Sequence, residues 1–383
     1  DSAVAARRAL EEGHEVVAVT LELWADPETD GTRSCCSPHA VTGARALAHR
    51  MGIPHLTLDL RTPFREHVVE DFVSEHAAGR TPNPCVRCNG GVRFGTMLRL
   101  AASLGAGRLA TGHYARIERD PEGPLLRVGA DPAKDQAYML ARLEPSDLER
   151  LWFPLGELEK REVRRLAREA GLPVSEKPES QDLCFLAGTA RERFLHRHGG
   201  AGRDRSALPG DPSSDGDRSV GEGGGEIVDR SGQVLGRHGG QERFTVGQRR
   251  GIGVAAPEPL YVLRKDPARD RVVVGPRSAL ATTRVAVAGV RLHRPGSAVD
   301  RVKLRYRSAP VPCVVSGRPG AGAHDRLVLV LGEPFHGVAP GQTACLMRGE
   351  AVVGWATIEE QAAPEGPSDT VGAGARETPG LPC

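Results

Sequence analysis

Cys85 and Cys88 stand three residues apart in RTPNPCVRCNGGVRF (80–94), behind Pro82 and Pro84. Thiols at this spacing serve as half of a zinc site, as a dithiol redox pair, or as sulfur that attacks another group. Zinc takes four ligands, and no second CxxC is present; the nearest spare pair is Cys35 and Cys36. Arg80, Arg87 and Arg93 flank the cysteines, and positive charge favours the nucleophilic thiolate. The prolines remove backbone donors and stiffen the chain, so Asn83, Cys85 and Cys88 are expected on a presented loop. A third thiol, Cys184, lies in SEKPESQDLCFLAG (175–188), where a polar run gives way to Leu183, Phe185 and Leu186. Read alone, it is a small buried hydrophobe. In ATGHYAR (110–116), Gly112 allows close backbone approach, and His113 and Tyr114 offer polar and stacking groups. Read alone, His113 is a loop histidine. Cys313, Cys345 and Cys383 receive no role.

The elements around these residues define the fold class. Residues 1–12 read as a helix stopped at Gly13, 14–24 as a strand, 41–52 as a helix and 53–60 as a strand. A helix over 62–79 is expected with Thr62 as cap and Pro63 in its first turn, then helices over 92–105 and 158–171 and a strand over 107–114. On the last helix Val163, Leu166, Ala167 and Ala170 face inward. Strands alternating with helices of this length predict right-handed βαβ units and a parallel sheet. Ligands of such sheets bind beyond the carboxyl ends of the strands. Asp1 and Ser2 open the first helix, and the chain reads as cut a few residues into a domain, with a first strand missing. Beyond residue 226 the helical period gives way to short strands with turns, an all-β region. The expected division is a catalytic α/β domain over 1–198, a Gly-, Asp- and Ser-rich insertion over 199–225, a small central domain over 226–278, a C-terminal β-barrel over 279–361 and a disordered tail over 362–383.

Composition narrows the class of partner. A length of 383 residues accommodates two or three domains. A net charge of +2 excludes a general polyanion binder but leaves room for a local basic face. Such a face is predicted in RVKLRYR, where Arg301, Lys303, Arg305 and Arg307 alternate with Val302, Leu304 and Tyr306; read alone, it is equally a solvated strand face. There is no apolar run of membrane-spanning length, the opening DSAVAARRALEEG reads as an amphipathic helix so that no signal peptide is expected, and eight dispersed cysteines are unlike a secreted disulfide scaffold. A cytoplasmic location is expected.

The stretches GRTPNPCVRCN (79–89), ATGHYAR (110–116), KDQAYML (134–140), FPLGELEKREVR (153–164), SQDLCFL (180–186), RFTVGQRRGIG (243–253), VKLRYRS (302–308) and PGQTACL (340–346) occur in one order. Together they resemble the tRNA-specific 2-thiouridylases, ATP-dependent sulfurtransferases of the PP-loop superfamily. The resemblance implies a PP-loop α/β domain, a small central domain and a tRNA-binding β-barrel. It implies ATP, with Mg2+, as the reagent that adenylylates O2 of the wobble uridine, position 34, so that sulfur can replace that oxygen. Asp1 and Ser2 match the end of the PP-loop, a pyrophosphate site of backbone N–H groups at a helix N-terminus, and Leu21 and Gly112 match positions lining the ATP pocket. Cys184 matches the persulfide carrier and Cys88 its partner thiolate, which either forms a transient disulfide with Cys184 or attacks the activated ring. Asn83, Pro84 and Cys85 match target-base contacts. His113, Lys134, Asp135, Gln136, Arg305, Tyr306 and Gln342 match tRNA contacts. Implied partners are the lysine, glutamate and glutamine tRNAs and a sulfur donor such as a cysteine desulfurase or sulfur-relay protein.

The chain departs from the family pattern in three places. Only the last two PP-loop residues are present. Position 85, often Asp in the family, is Cys, which opens a second route: a [4Fe–4S] cluster on Cys85, Cys88 and Cys184 carrying sulfide. Gly90 and Gly91 replace charged residues. Two other classes compete, a PP-loop ligase that adenylylates a carboxylate and a non-enzymatic RNA- or zinc-binding module.

Overall fold

The computed structural model describes residues 1–26, 37–172, 183–199 and 224–361. The insertion read over 199–225 and the tail over 362–383 fall almost entirely outside these residues, as do Cys35, Cys36 and Cys383. The first helix, Ser2–Glu11, buries Val4, Ala5 and Ala9, and Gly13, at φ +81°, follows its end. Ala18–Glu22 pairs in parallel with His55–Asp59, with Thr20 opposite Thr57. The strand is shorter than the apolar run because 14–17 makes no ladder. Between the two strands lies Pro38–Arg50, three residues earlier than the period implied. The Ser37 hydroxyl accepts from the Ala40 amide at 3.1 Å and Pro38 takes the first position, an ordinary cap. A second parallel pair joins Leu109–Ala110 to Leu151–Trp152. The helix Lys160–Glu169 buries Val163 and Ala167 as expected, whereas Ala170 is exposed beyond its end.

Two consecutive helical stretches carry the cysteine region. Residues 61–77 are helical throughout, widening to a π-helical stretch over Arg65–Val69. Thr62 is not the cap: Asp59 Oδ1 accepts the Arg61 amide at 3.0 Å, one position before the expected start. The expected presented loop is instead the start of a helix running from Pro84 to Ser103. Asn83 caps it, its Oδ1 accepting from the Val86 amide at 3.2 Å, and Pro84 occupies the first position. The helix widens over Cys88–Arg93, and such π-helical turns recur at functional sites. Cys85 and Cys88 are therefore neighbours on one helix face, three residues apart.

The C-terminal region closes into a six-stranded antiparallel barrel. Around it run Ala281–Leu292, Gly322–His336, Val311–Val315, Arg301–Lys303, Thr343–Arg348 and Ala351–Ile358, which pairs back to the first. A hairpin from the α/β half, Ala115–Asp120 with Gly123–Val128, joins the same sheet through Val352 opposite Leu126. Arg294, 2% exposed, fastens that hairpin by donating to both Asp120 carboxylate oxygens (2.6 and 3.0 Å) and to the Gly123 carbonyl (2.9 Å). RVKLRYR is strand only to Lys303. Val302 and Leu304 are buried as predicted, but the chain then turns, and Arg305 folds inward to donate to the Val246 carbonyl at 2.9 Å and to the Gly337 carbonyl.

A separate four-stranded sheet, ordered Val234–His238, Gly225–Val228, Arg271–Gly275 and Tyr261–Asp266, forms the central module. It docks on helix Glu70–Ala77, where Gln241 Nε2 donates to the His76 carbonyl at 2.9 Å; within the module Lys265, 6% exposed, donates to the Phe244 carbonyl at 3.0 Å. Among the described residues no helix is long and apolar enough to cross a membrane.

His76, 1% exposed, lies against Phe72 at this junction (ring centroids 4.6 Å). Burial, with Arg191 and Lys265 adding, pulls its pKa down to about 3. Below the ordinary histidine value the unfolded chain takes up a proton there that the folded chain refuses until about pH 3. Stability therefore falls with pH across that window, by up to about 1.4 kcal/mol per pH unit from this residue. Denaturation midpoints of wild type and His76→Phe between pH 7 and pH 5 should show a shallower loss in the variant; parallel losses would contradict the assignment.

Candidate active site

Cys88 and Cys184, nearly a hundred residues apart in sequence, belong to one hydrophobic cluster with Trp24, Phe64, Phe72, Phe185 and Phe194. Phe185, adjacent to Cys184 and 1% exposed, is the hub. Its ring centroid lies 5.0 Å from Phe194, 5.2 Å from Phe72, 6.0 Å from Phe64 and 6.5 Å from Trp24, all tilted or edge-on. Such pairs add to an already large area term. Phe185 thereby ties the segment bearing Cys184 to the helical stretch 61–77, which packs against the widened turn beginning at Cys88. Cys88 is 6% exposed, whereas Cys85 and Cys184 are partly exposed. Neither of the last two residues before Cys184, beyond Leu183, is among those described.

The charges around the cysteines are more balanced than the sequence implied. Arg80 makes two hydrogen bonds to the Glu75 carboxylate, one at 2.6 Å. Arg87 pairs with Asp71 at 3.1 Å, and its Nε donates at 2.7 Å to the His67 carbonyl in the widened stretch of the facing helix. These two arginines hold the cysteine helix in place as much as they charge its surroundings. On its other side Met139 receives both asparagines: Asn89 Nδ2 donates to its carbonyl at 3.0 Å, and Asn83 Nδ2 lies 3.7 Å from its sulfur. Gly90 also has a packing reason, since a Cβ there would lie 2.5 Å from Cβ of Arg142; at Gly91 the space is open.

The residues matched to the nucleotide pocket converge in part. Gly112 is pressed against the start of the first helix, where a Cβ would lie 2.7 Å from the Ser2 amide nitrogen and 2.8 Å from the Asp1 carbonyl carbon. The Asp1 carboxylate accepts from the Tyr114 hydroxyl at 2.9 Å and from Lys160 Nζ at 2.6 and 2.9 Å. Leu21 packs instead on the edge of the cluster that holds Cys88. Lys160 was not singled out from sequence, although it opens a helix inside the quoted FPLGELEKREVR; nothing in a lysine at a first helical position distinguishes it from a solvated charge.

The residues matched to RNA lie along the junction of the α/β half and the barrel. His113 sits between Phe94 and Phe153 (5.5 and 6.2 Å), with Nδ1 2.9 Å from the Thr111 hydroxyl. Burial, reinforced by Arg93, pulls its pKa down to about 3, so it is neutral at pH 7. Asp135 Oδ1 accepts from the Gly129 and Ala137 amides at 3.0 Å each, and Lys303 stands 3.7 Å from its Oδ2. Gln136 Oε1 accepts from the Tyr114 amide at 3.0 Å. The Tyr306 ring lies 6.1 Å from that of Tyr138, tilted by 42°, and burial raises its pKa. Gln342 Nε2 donates to the Thr81 carbonyl at 2.6 Å. Asp135, Gln136, Arg305 and Gln342 thus all make internal bonds.

Known proteins match the chain along most of its length. Residues 1–188 match the family described as tRNA methyl transferase HUP domain, 217–276 the tRNA methyl transferase PRC-barrel domain, and 291–358 the aminomethyltransferase beta-barrel domain. The chain is 42% identical over 369 residues to the tRNA-specific 2-thiouridylase MnmA of Geobacter metallireducens, covering 94% of each chain. It is 43% identical over 352 residues to the protein of the same name from Rhodospirillum rubrum, covering 90% of this chain and 88% of that one. It is 46% identical over 360 residues to the bifunctional protein NifU/MnmA of Rubrobacter xylanophilus, covering 94% of this chain and 67% of that protein.

Truncating the hub should be costly. Phe185→Ala is expected to destabilise the α/β half by about 3–5 kcal/mol in chemical denaturation, and Phe185→Leu by clearly less. A loss under about 1 kcal/mol for the alanine variant would mean that the ring does not anchor the segment.

Proposed function

The chain belongs to the tRNA-specific 2-thiouridylase family, and we propose that its two core-linked cysteines perform the sulfur transfer of that reaction. The enzyme catalyses 2-thiolation of a tRNA uridine with consumption of ATP. The observation that carries the cysteine assignment is the single aromatic cluster that contains Cys88 and takes in Cys184 at its edge. The catalytic module is assigned to 1–198, the central module to 226–278 and the RNA-binding barrel to 279–361.

Uridine O2 is a poor leaving group. Its attack on the α-phosphorus of ATP releases pyrophosphate and leaves O2 esterified to AMP. Backbone amides at the start of the first helix, at Ser2 and against Gly112, would hold the phosphates, and the Asp1 carboxylate, held by Lys160, would face Mg2+ as counter-charge. Asn83, Pro84 and Cys85 would face the base, which has to leave its stack to reach them. Cys184, loaded as a persulfide by a donor such as a cysteine desulfurase or relay protein, presents its outer sulfur to C2. That sulfur forms the new C–S bond as AMP departs. The Cys88 thiolate then attacks Cys184 Sγ, the S–S bond to the product breaks, and 2-thiouridine leaves with the sulfane sulfur. The resulting Cys88–Cys184 disulfide is returned to two thiols by a dithiol reductant. Both cysteines must come within disulfide range, with Cα atoms within about 7 Å.

The wobble position, the lysine, glutamine and glutamate tRNAs and a cytoplasmic setting follow from the resemblance and form part of this proposal. The cluster route requires Cys85, Cys88 and Cys184 to gather as ligands. Among the described residues no group of three His, Cys, Asp or Glu side chains is placed to hold a metal, so no step is derived through a cluster.

Cells lacking their own thiouridylase, complemented with the full gene, supply the test. Mass spectrometry of tRNA nucleosides should show 2-thiouridine restored by wild type and by Cys85→Asp, and absent with Cys88→Ser or Cys184→Ser. Thiolation that survives Cys88→Ser and Cys184→Ser would overturn the cysteine assignment, and loss with Cys85→Asp would favour the cluster. In steady-state assays Lys160→Met should raise KM for ATP about tenfold or more, the scale of a lost charged hydrogen bond. An unchanged KM would detach Lys160 and Asp1 from the nucleotide.

A further inference from the structure

We propose that the C-terminal barrel grips the segment carrying Cys85 and Cys88 on either side of the two thiols, at Thr81 and at Gly90, and thereby sets the position of Cys88, so that Gly341, Gln342 and Arg142 are positioning residues for the sulfur transfer. The inference rests on the cysteine assignment above and extends it to residues that touch no reacting atom.

The first grip lies just before the helix. Gln342 Nε2 donates to the Thr81 carbonyl at 2.6 Å, and the Thr81 amide donates back to the Pro340 carbonyl at 2.8 Å. A reciprocal pair fixes distance and orientation better than a single bond. Gly341, at φ +88°, lets the loops meet: a Cβ there would lie 3.0 Å from Cβ of Arg80 and 3.1 Å from the Thr81 nitrogen. The barrel side of the grip is itself anchored, because the Gly341 amide donates to the Ile358 carbonyl and the Ile358 amide to the Gln342 carbonyl, both at 2.8 Å.

The second grip lies within the widened turn. Gly90 packs against the Arg142 side chain. The Arg142 guanidinium stands 4.4 Å over the Trp355 ring and donates at 3.2 Å to the Thr357 hydroxyl. Burial, with Arg87 adding, lowers its pKa to about 10, so it remains charged at neutral pH and favours the aromatic face. Trp355, Thr357 and Ile358 are on one strand, Ala351–Ile358, so one rigid element holds both ends of residues 81–90. Between the grips, Pro82 and Pro84 each fix one backbone torsion. A displacement at Thr81 therefore passes to Cys85 and Cys88 rather than dissipating in the chain. The Gln342 amide, matched from sequence to an RNA contact, is already committed to Thr81.

Alkylation kinetics test this in the tRNA-free enzyme. Trypsin separates Cys85, in TPNPCVR, from Cys88, in CNGGVR, so each thiol can be followed by mass spectrometry under limiting iodoacetamide. Gln342→Met removes the donor, and Gly341→Ala wedges the loops apart. Each should raise the Cys88 alkylation rate about fivefold, the scale of one lost hydrogen bond. The buried barrel thiols Cys313 and Cys345 should stay at their wild-type rates, kcat for thiolation should fall, and tRNA affinity should change less than about twofold by the same reckoning. An unchanged Cys88 rate overturns the proposal, and if it comes with weakened tRNA binding, Gln342 is an RNA contact. Cys313 and Cys345 rising in step with Cys88 also overturns it, as general loosening. The alkylation readout is independent of whether Cys88 proves necessary for thiolation, so failure of the clasp and failure of the cysteine assignment are separable.

Discussion

The packing of one ring, Phe185, against Phe64, Phe72, Phe194 and Trp24 is the constraint on which the site depends. Two thiols must meet, and the chain between them is long. Closing such a loop costs entropy that grows slowly with length, so a few strong contacts at its end suffice to offset it. An aromatic side chain removed from water on all sides provides them without needing any polar partner. It also leaves the adjoining Cys184 partly exposed, where a donor protein can reach it, while Cys88 stays shielded.

Around this apolar centre the polar groups are mostly accounted for internally. Arg80 and Arg87 answer Glu75 and Asp71, Asn83 and Asn89 answer Met139, and Asp135 and Gln136 answer backbone amides. For the part-buried Asn89, Asp135 and Gln136, a polar group left unpaired would cost more than a typical bond contributes; the Arg80 and Arg87 pairs are exposed and contribute orientation rather than much stability. The consequence is a preformed site. Residues that a motif comparison assigns to RNA also build the surface on which RNA would be received, and the two roles are not exclusive. Placing Cys85 and Cys88 on a helix rather than a loop keeps Cys88 within the tolerances that group transfer needs, while Cys184 sits in a turn held by Phe185.

Much of this was legible in the sequence. The alternation of strands and helices gave the parallel pairs, and the ordered motifs gave the family. Val302 and Leu304 were readable as inward-facing. The prolines of the cysteine segment suggest a loop, whereas Asn83 followed by Pro84 is a cap and first-turn signature and the segment is helical. The hairpin 115–128 was missed although Pro121, Glu122 and Gly123 mark its turn, and no local pattern tells that its partner strand lies more than two hundred residues away. Arg305 was placed on an outer face because period-2 alternation continues through it, but two backbone carbonyls, from Val246 and Gly337, compete for its guanidinium and end the strand. Contacts such as Gln342 with Thr81 and Arg142 with Trp355 join distant segments and carry no local trace.

The central claim is that residues 88 and 184 share one reaction space. Stoichiometric oxidation of the full-length enzyme with diamide, with and without bound tRNA, followed by non-reducing peptide mapping, measures it directly. The account predicts a disulfide joining Cys88 to Cys184 as the principal crosslink. A Cys85–Cys88 bond in its place, or no intramolecular bond to Cys184 under either condition, would contradict it.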